Sequence, residues 1–81
     1  MTKDWVSESE RIAEYLSLLG YREVADAIVD AVAAGSTGTE ILTALRWHFR
    51  KFLDSHLDLD QKLTGSIQEV IDGIDTALHA L

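Results

Sequence analysis

Three histidines, His48, His56 and His79, and the acidic run Asp54-Ser55-His56-Leu57-Asp58-Leu59-Asp60 are the side chains best suited to acid–base or metal chemistry in this sequence. His48 and His56 stand eight residues apart and share one helical face, but no carboxylate three or four residues from His48 shares it. The acidic run alternates like a calcium loop. Such a loop needs Gly at its sixth position and a bidentate Glu at its twelfth, and counting from Asp54 those positions hold Leu59 and Gly65. The run therefore reads as a polar connection in which Asp58 or Asp60 caps the helix that follows.

No nucleophile has a partner in the sequence. Cysteine is absent, and so are a Gly-rich phosphate loop, a HExxH helix and a GxSxG elbow. With 81 residues there is little room for a deep pocket. These absences point to a protein that is not an enzyme, with no catalytic residues, cofactor or metal. Carrier domains are also small, acidic and four-helical, and attach phosphopantetheine to a Ser in an Asp-Ser-Leu-like motif at the start of their second helix. The chain resembles them in composition and in the dipeptide Asp54-Ser55, which here is followed by His56 and placed after the third expected helix.

The formal charge is −7, from 14 acidic against 7 basic residues. Residues 1–45 carry −5, residues 46–51 carry +3 and residues 52–81 carry −5. The positive cluster, Arg46, Arg50 and Lys51, is interleaved with Trp47 and Phe49. The flanking acidic blocks outweigh it more than threefold, which argues against a nucleic-acid ligand. A helix–turn–helix reading fails on the same ground: its recognition helix would present Thr39, Glu40 and Thr43 beside Glu23, Asp26 and Asp30. The cluster then either offsets neighbouring acidic helices or helps to form a contact.

Trp47 points away from its own helix's apolar stripe. Either the N-terminal residues around Trp5 and Val6 cover it, or it anchors a partner. In the second case Ala44, Trp47, Arg50 and Lys51 form one side of a contact. Glu23, Asp26 and Asp30, spaced three and four apart, project together from another helix; they keep the protein in solution or steer a basic partner.

The elements that must position these groups are helices throughout. Apolar residues recur every three or four positions, proline is absent, and glycines punctuate the chain. The expected fold is all-α: a compact four-helix bundle-like single domain over 1–81, with helices at 4–19, 21–34, 38–55 and 59–80. In the first, Trp5, Ile12, Leu16 and Leu19 form the stripe, flanked by Glu8, Ser9 and Tyr15. Ser7 with Glu10 fits a capping box, although Thr2 or Asp4 could begin the helix earlier. Gly20 suits a left-handed C′ position with Tyr21 touching Leu16, and Thr37 with Glu40 makes a second capping box.

The second helix buries Tyr21, Val24, Ala25, Ile28, Ala31 and Val32. The third buries Ile41, Leu42, Leu45, Phe49, Phe52 and Leu53. The fourth runs through Leu59, Leu63, Ile67, Val70, Ile74, Leu78 and Leu81. Unbroken, it would be about 33 Å long and overhang the bundle; Gly65 offers a kink or break near Thr64–Ser66 instead.

The leading expectation is a non-enzymatic protein–protein interaction module, with inhibition of a basic protein as its most concrete form. In size, charge and helix count the chain resembles the colicin-DNase immunity proteins, which mask basic nucleases. It lacks their Tyr-Tyr dipeptide and short third helix, so no residue is carried over from them. The alternative is a homo-oligomer paired through the fourth helix. With no bilayer-length apolar run and no basic-then-apolar leader, neither a membrane nor a nucleic acid is expected as partner, and a soluble, cytoplasmic protein is.

Overall fold

A computed structural model describes residues 4–80, which form four helices: α1 (Trp5–Leu18), α2 (Arg22–Ala34), α3 (Gly38–Ser55) and α4 (Gln61–His79). No strand occurs among the described residues.

Local chemistry sets the ends. Asp4, not Ser7, caps α1: its carboxylate accepts from the backbone N–H of Val6 at 3.1 Å and of Ser7 at 3.2 Å, and from the Ser7 hydroxyl at 2.9 Å. Thr2 lies outside the described residues. At the other end Gly20 takes φ +98°. The Tyr21 N–H reaches back to the Leu16 carbonyl at 2.9 Å and the Gly20 N–H to that of Ser17 at 3.1 Å, closing α1 with a Schellman motif. Leu19, expected in the buried stripe, is left half exposed at the cap. Thr37 caps α3 as expected, accepting from the Glu40 N–H at 3.1 Å, while the Glu40 carboxylate reaches the Ser36 N–H.

The fourth helix departs most from the expected limits. It starts at Gln61 rather than 59, with Asp60 in the N-cap position but no side-chain cap bond, and it passes through Gly65 without a break. Its 19 residues make it about 28 Å long, shorter than the roughly 33 Å expected for 59–80.

The helices pack as a ring in chain order, α1 against α2, α2 against α3, α3 against α4, with α4 closing on α1. Across the diagonals the α1 and α3 backbones approach each other, whereas those of α2 and α4 stay further apart. Leu16, Ile28, Leu45, Phe49, Ile67, Ile71 and Ile74 are fully buried, so every helix supplies the core. Burying each such side chain contributes about 1.5–3 kcal/mol. Ile71 was missed by the stripe read from the sequence. Ser9, expected to flank the first stripe, is also fully buried, and it satisfies its hydroxyl by donating to the Trp5 carbonyl at 2.7 Å.

Leu63, Ile67, Val70 and Ile74 belong to the core of the single chain and Leu78 packs against it; Leu81 lies outside the described residues. The large exposed apolar side chains are elsewhere: Tyr15, Leu18, Leu19, Val29, Trp47 and Leu57.

Candidate functional site

Trp47 is 55% exposed. Trp5 and Val6 do not cover it: both pack against the core, with the Trp5 indole lying over Gly73 of α4. The outward direction read from the helical wheel therefore holds in the folded chain. The ring is nonetheless held in place. Lys51, one turn on, sets its ammonium 4.9 Å from the ring centroid, and His48 meets the indole edge-to-face at 5.0 Å.

Trp47 stands at the rim of a cleft of about 450 Å³ between α2 and α3. From α3 the cleft takes Trp47, His48, Lys51, Phe52, Ser55 and His56, a single helical stripe at alternating steps of one and three. From the α1–α2 turn and α2 it takes Gly20, Tyr21, Arg22, Glu23, Val24 and Ala27. The Schellman turn matters here, because it delivers Tyr21 to the cleft. Tyr21 stands edge-to-face against Phe52 at 5.2 Å and against His56 at 5.3 Å, and the Phe52 and His56 rings stack at 4.3 Å. His56 Nδ1 lies 3.0 Å from the Phe52 carbonyl. A carbonyl can only accept, so Nδ1 carries the proton and Nε2 is left for other contacts.

The electrostatics of the cleft differ from those of the whole chain. Among the described residues the side-chain ion pairs are Arg11 with Glu8 and Arg46 with Asp75. Arg46 thus leaves the positive cluster: it bridges to α4, and α3's remaining cations, Arg50 and Lys51, are exposed and have no carboxylate partner. Among the described residues Arg22 and Glu23 have no ion-pair partner either. Burial, reinforced by the Lys51 charge, holds the His48 imidazole below its usual pKa.

The expected contact residues separate into groups. Trp47, Lys51 and Glu23 line the cleft together, so the two surfaces read separately from the sequence meet there. Ala44 adjoins Trp47 in a shallower depression with Thr39, Glu40 and Thr43. Arg50 lines neither depression. Asp26 and Asp30 are exposed on α2 beyond the cleft. The sequence reading missed Tyr21, Arg22, Phe52 and His56 as a group. The available signal was the ladder 47/51/55 and 48/52/56 on α3.

Of the acidic run, only Ser55 and His56 line the cleft. Ser55 ends α3, donating its hydroxyl to the Lys51 carbonyl at 2.9 Å, far from the helix start that carrier domains use. No group of three or more His, Asp or Glu side chains among the described residues is placed to hold a metal ion, and no helix there is long and apolar enough to cross a membrane. Compared with known proteins, the chain matches no family model, no curated protein and no solved structure.

Proposed function

We propose that this protein is a non-enzymatic interaction module that presents the acidic α2 stripe of Glu23, Asp26 and Asp30 to a basic protein, with Trp47 as an apolar anchor beside that stripe. The observation that carries the reading is a tryptophan 55% exposed yet held by Lys51 and His48. A large, pre-positioned aromatic side chain beside unpaired charges is the type of group that anchors interfaces, because its burial releases much apolar surface at little cost in side-chain order. Glu23, Asp26 and Asp30 are exposed along α2 with no ion-pair partner among the described residues, and with the net charge of −7 they favour a partner of opposite sign. Masking a basic protein, in the manner of immunity proteins and antitoxins, is the most concrete form of this activity.

Affinity capture from the cells that make the protein tests it. The wild-type chain should retain a basic protein, Trp47→Ala should lose it, and combined Glu23→Lys, Asp26→Lys and Asp30→Lys should weaken it. Equal capture by all three overturns the reading. So does a self-associated state that persists across a dilution series in light scattering and accounts for the Trp47 face.

A further inference from the structure

We propose that the cleft between the N-terminal end of α2 and the C-terminal half of α3 binds a small planar aromatic anion, such as an aryl carboxylate or sulfonate. Its volume of about 450 Å³ lies within the range of small-molecule sites. The walls select for a ring. Tyr21, Phe52 and His56 form a mutually packed aromatic cluster in the lining, and the exposed ring of Trp47 lines the same cleft and is the surface open to an aromatic ligand.

The charges select the sign. The titratable groups facing the cleft are Tyr21, Arg22 and Glu23 from α2 and its preceding turn, and His48, Lys51 and His56 from α3. Arg22 and Lys51 outnumber Glu23, and neither cation is committed to a carboxylate. In a chain of net charge −7 this is a local reversal. A cationic ligand is disfavoured further because the Trp47 ring, the natural cation receptor, already carries the Lys51 ammonium. An anion beside His48 would favour its imidazolium, so binding should tighten as pH falls through the titration of that group. The inference does not depend on the protein-partner reading, since it is tested on the isolated chain.

Amide and indole NMR shifts of the full chain, followed during titration with 1-naphthoate, 1-naphthalenemethanol and 1-naphthylmethylammonium, provide the test. Shifts should concentrate at Tyr21, Trp47, His48 and Phe52. Naphthoate should bind at least about tenfold more tightly than the alcohol, the amine should bind most weakly, and naphthoate affinity should be higher at about pH 6 than at about pH 8. Lys51→Glu, a change at an exposed position whose folding circular dichroism can verify, should erase the preference for naphthoate. Equal binding of naphthoate and the alcohol to the wild-type chain, shifts centred elsewhere, or no saturable binding would each overturn the proposal.

Discussion

The indole of Trp5 occupies the space that a side chain at Gly73 would need, since a Cβ there would overlap Cζ2, Cε2 and Cη2 of the ring. This contact lies where the start of α1 packs on α4. Two glycines in α4 consequently have opposite meanings. Nothing lies within 4 Å of a Cβ built at Gly65.

Gly65→Ala should stabilise the protein by about 0.5–1 kcal/mol, the helix-propensity gain of alanine over glycine. Gly73→Ala makes the same local gain but displaces Trp5, and overpacking costs of about 1–3 kcal/mol should leave it destabilised. Urea denaturation of the two variants measures both. Equal gains would show that Trp5 is not held on α4.

Two aromatic residues of α3, two positions apart, should behave in opposite ways. Phe49 is fully buried, and Phe49→Ala should cost about 3–5 kcal/mol. Trp47→Ala should change stability by about 1 kcal/mol or less, while removing partner capture. Denaturant midpoints and binding read on the same samples distinguish a surface anchor from a core residue.

His48 gives stability an acid-side slope. Its folded pKa is depressed by burial, then by Lys51, so between that value and the unfolded value of 6.5 the unfolded chain binds more protons. Stability should therefore fall as pH drops below 6.5, and level off for this group once pH is below its folded pKa. His48→Gln should flatten that part of the profile in thermal unfolding. An unchanged slope would place the titration elsewhere.

Arg46 and Asp75 join α3 to α4, but their side chains are 41% and 34% exposed. A double-mutant cycle with Arg46→Ala and Asp75→Ala should return a coupling of about 1 kcal/mol or less, reduced further by added salt. A larger value would make this bridge a main tie between the two helices.

Much of this architecture is legible residue by residue. The spacing of Leu45, Phe49 and Phe52 announces a buried helical face, and Gly20 before Tyr21 announces a left-handed stop. The opposed directions of Trp47 and Phe49 follow from 100° per residue alone. The limits of α4 are less legible, because the Asp58 to Asp60 region offers several competing starts and Gly65 weakens the pattern without breaking the helix. The cleft was readable on one side only: the α3 ladder is local, whereas the arrival of Tyr21 against Phe52 and His56 has no local signature.

The sequence by itself determined four helices, most of their ends, and most of the residues that face inward, Ile71, Ser9 and Leu19 excepted. Those features depend on φ preferences, caps and side-chain spacing within about one turn, and such interactions act before any helix meets another. Tertiary structure decided which exposed groups become neighbours: Trp5 over Gly73 rather than Trp47, Arg46 on Asp75 rather than in a cationic patch, and Glu23 in one cleft with Trp47 and Lys51. These pairings depend on the rotation and offset of whole helices. Close packing of side chains such as Leu16, Ile28, Phe49 and Ile71 sets both at once, and no short stretch of sequence encodes the result.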